Sequence, residues 1–321
     1  MSKTYSGGDK IFITGVSGFI ASELAKEAVS RGYKVAGLVR QSTRTNSALE
    51  SLKGLISIYN GDLRDYYGIR QIIRDFKPDY VFHLGAITPV SYSFEHPTEV
   101  TETNYLGTVN LVEALKAENI PLKRFIFASS MEVYGHQPEN RPFTEDLEPH
   151  PACPYAVAKL ACEKYLQYSH YAYNFPAIAF RQTNCYGRKE NDYFVVEAIT
   201  TQMLKNDKVV NLGNPEPVRN FIYIDDLVEL YFKAMDAKNI DGEVFNTGPD
   251  NGVTIKELAE KIAKHLKWNG QMNWFTREAR AGEIFYLNSI AGKAQKMIGW
   301  KPTIDLDKGL KNVIDIWKRK I

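Results

Sequence analysis

Short β-branched runs alternate with longer amphipathic stretches through the first half of the chain. Residues 11–13 (Ile-Phe-Ile) open the series as a strand, and a helix follows over about 18–30. Residues 34–39 and 55–59 read as strands, 69–76 as a helix and 80–84 as the next strand. A long helix is predicted over about 97–117, with Leu106, Val109, Val112 and Leu115 at core spacing. Residues 124–128 and 177–181 are further strands, separated by a long helix that begins near Tyr155. Strands alternating with helices mean right-handed βαβ crossovers and a parallel sheet covered on both faces.

After Tyr186 the rhythm changes. Gly213-Asn214-Pro215-Glu216-Pro217 marks a loop, and 225–235, 254–265 and 305–317 read as helices without another long series of strands. The fold class is therefore α/β: a Rossmann-type doubly wound parallel sheet with a smaller C-terminal α/β lobe. We assign residues 1–184 with about 220–245 to the dinucleotide-binding domain. About 185–219 and 246–321 form the lobe, which closes over the crevice at the carboxyl ends of the strands.

Composition narrows the function classes. A net charge of +2 gives no polyanion-binding surface, so no nucleic-acid partner is expected. No apolar run reaches the length of a membrane span, and the polar N-terminus lacks the apolar core of a signal peptide. Cys153, Cys162 and Cys185 are odd in number and form no C-x-x-C, which argues against disulfides or a metal site. A reducing, cytoplasmic location follows as an expectation.

The first strand runs into Thr14-Gly15-Val16-Ser17-Gly18-Phe19-Ile20-Ala21. Gly15 and Gly18 stand where a strand must turn tightly into a helix and let backbone N–H groups approach a pyrophosphate. An ordinary strand–helix turn is the bland alternative, but the motif opens the first βαβ unit, where the dinucleotide fingerprint belongs. The second strand ends in Arg40 with Ser42 and Arg44 nearby, and no acid stands there to bind ribose hydroxyls. Arg40 suits a 2′-phosphate, so NADP is favoured over NAD. Asp62-Leu63 flank the adenine position, and Leu84-Gly85-Ala86 allow close approach to the dinucleotide.

Tyr155 and Lys159 form Tyr-x-x-x-Lys, which one helical turn places on one face. A free tyrosine has a pKa of about 10, and bringing it to neutrality requires about 4 kcal/mol of preferential phenolate stabilisation. An adjacent ammonium and a cationic nicotinamide ring have the right sign. The strand at 124–128 leads into Ser129-Ser130-Met131-Glu132. Ser130 is placed to hold a reacting hydroxyl, and Glu132 is either a surface residue or a base for a carbon-bound proton.

Together these segments resemble the extended short-chain dehydrogenase/reductase family, the nucleotide-sugar epimerases and dehydratases. The resemblance is carried by the glycine turn at 14–21, His83-Leu84-Gly85-Ala86, Asn104 with Gly107-Thr108, and Ser-Ser-x-x-Val-Tyr-Gly at 129–135. It continues in the segment 154–159, in Arg181-x-x-Asn184-x-Tyr186-Gly187, in Arg219-Asn220-Phe221 with Asp225-Asp226, and in Arg280-Ala281-Gly282-Glu283. Segments 37–42, 61–63, 90–95 and 154–160 look most like GDP-mannose 4,6-dehydratases, whereas the glycine turn and Asn184-Cys185-Tyr186-Gly187 are closer to epimerases and dTDP-glucose dehydratases.

The resemblance implies a nucleotide-diphosphate sugar as substrate, with Thr88, Ser93, Ser130, Asn184, Arg219 and Arg280 around it, and a homodimer. It also implies a cycle: Tyr155 takes the 4-hydroxyl proton, Lys159 holds the ribose and lowers the tyrosine pKa, and hydride leaves C4. Glu132 then takes the C5 proton, water leaves C6 and hydride returns there. A 4-epimerase, a 4-keto reductase and a non-catalytic dinucleotide sensor are the competing readings.

Overall fold

The computed structural model describes residues 8–40, 47–188, 191–276 and 282–321. Strand β1 (Lys10–Thr14) runs into α1 (Phe19–Ser30), followed by β2 (Lys34–Val39), α2 (Ser47–Leu52), β3 (Ser57–Asn60), α3 (Tyr66–Phe76) and β4 (Tyr80–His83). Helices α4 (Val90–Glu95) and α5 (Pro97–Val100) lead through a π-helical turn (Thr101–Leu106) into α6 (Gly107–Ala117). Next come β5 (Arg124–Ser130), a 3₁₀ turn (Met131–Tyr134), α7 (Pro154–Tyr173) and β6 (Ala177–Gln182). The remainder holds β7 (Asn184–Tyr186), α8 (Val195–Lys205), β8 (Val209–Asn211), β9 (Val218–Arg219), β10 (Phe221–Tyr223), α9 (Ile224–Asp236) and β11 (Val244–Asn246). It ends with β12 (Val253–Thr254), α10 (Ile255–Leu266), β13 (Gln271–Asn273), β14 (Tyr286–Leu287), α11 (Gly292–Ile298) and α12 (Leu306–Lys318).

Seven strands pair in parallel in the order β11-β6-β5-β4-β1-β2-β3. The order reverses between β1 and β4, and a crevice opens at such a switch point beyond the carboxyl ends of the strands. Both faces of the sheet are covered. Ile11 and Ile13 pack on one side with Leu24 and Ala28 of α1 and Leu227 and Tyr231 of α9. Phe12 points to the other, with Ile69 of α3, Leu111 of α6 and Leu166 of α7. Burial on both faces is why the strands read as continuous apolar runs. Short sheets of two and three strands, β7 with β10, β8 with β13, and β9 with β12 and β14, build the region opposite the strand ends.

The predicted elements of the first half are present, with two corrections. The strand expected over 55–59 begins at Ser57, and Leu55 is exposed. It lies at the sheet edge, where one partner is missing and the apolar pattern weakens. The helix over 97–117 is interrupted by the π turn. Its extra residue rotates the buried face, so Leu106 is exposed while Asn104, Thr108, Leu111, Val112 and Leu115 turn inward. Thr108 Oγ1 donates to the Asn104 carbonyl at 2.6 Å, and Cys162 Sγ donates to the same oxygen, which helps hold the wide turn. The sequence reading also passed over α8, whose β-branched and threonine residues (Val195, Val196, Ile199, Thr200, Thr201) mask a helical period.

The chain end is fastened to α9 by Asp226. Its buried carboxylate accepts from Thr303 Oγ1 at 2.8 Å and from the Ile304 N–H at 2.9 Å, and its carbonyl accepts from Trp300 Nε1 at 3.0 Å. Replacing Asp226 by alanine leaves two donors without an acceptor, at about 1.5–3 kcal/mol for each hydrogen bond to a charged group. Urea denaturation of Asp226→Ala is expected to show a loss of about 3 kcal/mol; a loss under 1 kcal/mol would mean that water replaces the carboxylate.

Candidate active site

The sheet's carboxyl edge and the opposite region enclose one cleft of ≈ 1140 Å³. Its floor begins at the turn after β1. Gly15 has φ +70°, and a Cβ there would meet Gly85 Cα at 2.8 Å, so the two backbone segments can approach only because residue 15 carries no side chain. Gly18 caps α1 without any side-chain hydrogen bond, and Gly18, Phe19 and Ile20 line the cleft. The N-terminus of a twelve-residue helix thus faces the cavity, a fit for the pyrophosphate of a dinucleotide.

Around this floor the structure gathers most of the residues singled out in the sequence. Arg40, Asp62, Leu63, Leu84, Ala86, Thr88, Ser130, Glu132, Tyr155, Lys159, Asn184 and Arg219 all line the cleft. Asp62 is already engaged, since Arg64 Nη2 donates to its Oδ2 at 2.7 Å and Arg64 Nε to its Oδ1 at 3.0 Å. That hydrogen-bonded guanidinium holds the Asp62 carboxyl below its ordinary range, and Arg40 adds to the effect. Arg40 is exposed at the end of β2. Arg219 directs its guanidinium to the carbonyls of Val218, at 2.8 Å, and Ile284, at 2.7 Å. One described residue is not brought in. Ser93 is buried inside α4, donates to the Val90 carbonyl at 2.7 Å and does not line the cleft. Arg280, like Ser42 and Arg44, lies outside the described residues.

The candidate reacting groups meet where β5 ends and α7 begins. Cys153 caps α7, and Pro154 occupies its first turn, where its missing N–H costs nothing. Tyr155 and Lys159 are both buried on the inner face. Lys159 Nζ donates to the Ala128 carbonyl at 2.6 Å and lies 5.8 Å from the centre of the Tyr155 ring. Burial pushes the Tyr155 phenol up; the Ser130 hydroxyl beside it pulls the other way, and the Glu132 carboxylate adds to the rise. Desolvation dominates at Tyr155, and the Lys159 ammonium is turned to a carbonyl. Burial also lowers Lys159 to about 8.

Ser130 caps the 3₁₀ turn by accepting from the Glu132 N–H at 3.2 Å, which turns Glu132 into the cleft wall. Met131 goes the other way, into an apolar cluster with Val133, Tyr134, Phe143, Ile284 and Leu287. Sequence reasoning missed the aromatic part of the wall: Tyr193, Phe194, Phe275 and Phe285 also line the cleft. They sit in irregular chain, where no periodicity singles them out.

A doubly wound sheet with a glycine turn at its switch point, and a Tyr-x-x-x-Lys helix beside a serine, defines an extended short-chain dehydrogenase/reductase. Residues 12–313 match the family model described as GDP-mannose 4,6 dehydratase, and the chain belongs to that family of nucleotide-sugar dehydratases and epimerases. It is 30% identical to GDP-mannose 4,6 dehydratase 1 of Arabidopsis thaliana, over 94% of this chain and 88% of that one. Its structure is similar to that of Thermotoga maritima UDP-glucose 4-epimerase with UDP-glucose, with a TM-score of 0.89, 29% identity and coverage of 97% of this chain and 99% of the other. The Thermus thermophilus UDP-glucose 4-epimerase in complex with NAD is 26% identical, with a TM-score of 0.86 over 97% of this chain and 100% of that one.

Lys159 gives this site a pH signature. Its folded pKa, about 8, lies below the ordinary lysine value of 10.5, so burying the ammonium costs stability below pH 8. The cost fades as pH rises from 8 towards 10.5, because the folded state then loses the proton first. Lys159→Met is expected to be more stable than wild type at pH 7 by up to about 3 kcal/mol, with the gap closing by pH 10. Denaturation of both proteins across this range checks it; a gap independent of pH would show that Lys159 is not charged at a cost.

Proposed function

We propose that the protein is a nicotinamide-dependent nucleotide-sugar 4,6-dehydratase. The observation that carries this reading is Glu132: its carboxylate stands in the cleft wall, close enough to Tyr155 to raise the phenol's pKa. Bound nicotinamide supplies a hydride acceptor for C4 and later a hydride donor. Tyr155, with Ser130 beside it, exchanges the proton of the 4-hydroxyl, and Lys159 holds the ribose. The backbone N–H groups of Phe19 and Ile20 and the close Gly15–Gly85 approach hold the pyrophosphate. Once C4 is a ketone, the C5 hydrogen is acidic and Glu132 removes it. With Met131 packed in the apolar cluster, Glu132 is also the proton donor to the departing C6 hydroxyl. Arg219 and Asn184, with Thr88, are assigned to the nucleotide sugar.

The likeness to UDP-glucose 4-epimerases favours a second reading, 4-epimerisation, which needs no C5 base and leaves Glu132 a structural role. We divide the chain into a dinucleotide-binding part, 1–184 with about 220–245, and a substrate lobe, about 185–219 with 246–321. Exposed Leu106 on the π turn and Val157 and Tyr168 on α7 support a homodimer through the helices beside the active site. The three cysteines are free and buried, which suits a reducing compartment and supports the cytoplasm. No helix among the described residues is long and apolar enough to cross a membrane.

Product mass separates the two reactions. Wild type incubated with a panel of nucleotide sugars is expected to give a product lighter by one water. Glu132→Gln should lose about 10²- to 10⁴-fold of this activity, the usual contribution of a positioned acid–base group. It should still show transient reduced cofactor, whereas Tyr155→Phe should show neither. A wild-type product of unchanged mass and inverted C4 would establish the epimerase.

Cofactor choice is tested at Arg40. Exposed at the cleft rim with no acid at the end of β2, it supports NADP; the NAD complex of the Thermus relative supports NAD. Fluorescence titration of Arg40→Ala is expected to show NADP(H) bound about 10- to 100-fold more weakly, as for hydrogen bonds between charged groups, and NAD(H) unchanged. Equal loss of both, or tighter binding of NAD(H) by wild type, would remove the 2′-phosphate role.

A further inference from the structure

Phe275 is the described aromatic residue whose backbone is least at ease: its φ is +57°, in the left-handed region that side chains other than Asn and Asp rarely adopt. The strain is held in place by neighbouring hydrogen bonds. Phe275 N–H donates to the Gly213 carbonyl at 3.1 Å, and Thr276 N–H and Oγ1 donate to the Leu212 carbonyl at 3.0 and 2.9 Å. These bonds continue the pairing of β8 with β13. Packing does not repay the strain, because the ring is 69% exposed. It nevertheless forms part of the cleft wall, as do the exposed rings of Tyr193 and Phe194, which meet edge to face at 5.5 Å. Strained residues that the surrounding structure over-determines cluster at ligand clamps.

We infer that Phe275 is a stacking platform for the nucleobase of the nucleotide-sugar substrate. This rests on the nucleotide-sugar reading and names a residue for its specificity. Three planar groups enter such a cleft: adenine, nicotinamide and the substrate's base. Adenine belongs at the ends of β2 and β3, beside Arg40 and Asp62, and nicotinamide beside Tyr155 and Lys159. Phe275 is bonded to Gly213, which with Asn214 lines a part of the cleft built by C-terminal segments rather than by the ends of β2 and β3 or the start of α7. A backbone fixed in this conformation loses no further freedom on binding, so the point from which the ring projects is set before the ligand arrives.

Calorimetric titration of the intact protein with UDP, GDP and dTDP, and with ribose 5-diphosphate as a probe lacking the base, tests this. Phe275→Ala should weaken the preferred nucleoside diphosphate by about 5- to 150-fold, the range that one base–aromatic stack spans on truncation to alanine. Ribose 5-diphosphate should bind as to wild type, and Phe275→Tyr should restore the affinity. Phe275→Gly relaxes the left-handed backbone; it should fold with an undiminished melting midpoint and still bind weakly, which separates the ring's role from stability. Unchanged nucleoside diphosphate affinity in the alanine and glycine variants, or an equal loss for the baseless probe, would overturn the stacking role alone. A wild-type protein that binds none of the three nucleotides would overturn the nucleotide-sugar reading itself and the inference with it.

Discussion

Glu163 and Arg181 bury opposite charges between α7 and β6, and the position of the reacting groups depends on them. Arg181 Nη2 donates to Glu163 Oε2 at 2.8 Å and Nε to both carboxylate oxygens, at 3.1 and 3.2 Å. Both side chains are almost wholly out of solvent. Removing one partner would leave a buried charge unpaired, a cost of about 3–5 kcal/mol, so the pair tolerates little sliding of helix against strand. Ser129 of β5 donates to the same carboxylate at 2.5 Å, and the guanidinium stacks 4.7 Å from the Tyr134 ring. One ion pair thereby ties α7, two strands and the 3₁₀ turn together. Tyr155 and Lys159 sit two turns and one turn before Glu163 on the same helix, and Ser130 and Glu132 flank Ser129 and Tyr134.

A second buried chain fixes the cofactor side. Thr108 spends its hydroxyl proton on the Asn104 carbonyl, so it accepts from His83 Nε2, at 2.8 Å. His83 Nδ1 is then the acceptor for Thr14 Oγ1, at 2.7 Å, and Thr14 in turn accepts from the Gly85 N–H, at 2.8 Å. The network assigns the tautomer with the proton on Nε2. Burial, with Lys159 adding, keeps His83 neutral by pushing its pKa to about 3. The strand leading to the glycine turn is thus locked to the Gly85 segment and to α6, which explains how Gly15 and Gly85 are held at a distance that a single Cβ would break.

Much of this was legible in the sequence because it follows from local chemistry. The alternation of β-branched runs and helices dictates the parallel sheet, and Gly15, Gly18, Tyr155 and Lys159 announce themselves by spacing on adjoining elements. What escaped depends on tertiary context. Leu106 has core spacing in a regular helix, but the π turn rotates it into solvent. Ser93 lies in a segment that resembles the family, yet its hydroxyl is taken by a carbonyl one turn back. The depth of burial that pushes the Tyr155 phenol up is set by the packing around α7, which no local spacing reveals. Phe275 carries no signal in the chain, because a left-handed backbone at an aromatic residue is imposed by the pairing of β8 and β13.

The choice between elimination and simple inversion rests on which way two adjacent side chains turn. In the 3₁₀ turn after β5, Ser130 caps the Glu132 N–H, and the tight spacing sends Met131 and Glu132 in divergent directions. Met131 is spent on the apolar cluster beneath β14, so the turn is anchored by hydrophobic burial on one side and offers a single carboxylate on the other. Gly135, at φ +57°, ends the turn where a Cβ would collide with the His150 carbonyl, so the turn closes against that segment only with glycine. On the dehydratase reading, Glu132 is the group that this turn offers to C5. If Glu132 serves both steps, as proposed, the C5 proton and the proton for the C6 oxygen move on the same face of the sugar, because one carboxylate must stay within hydrogen-bond reach of both.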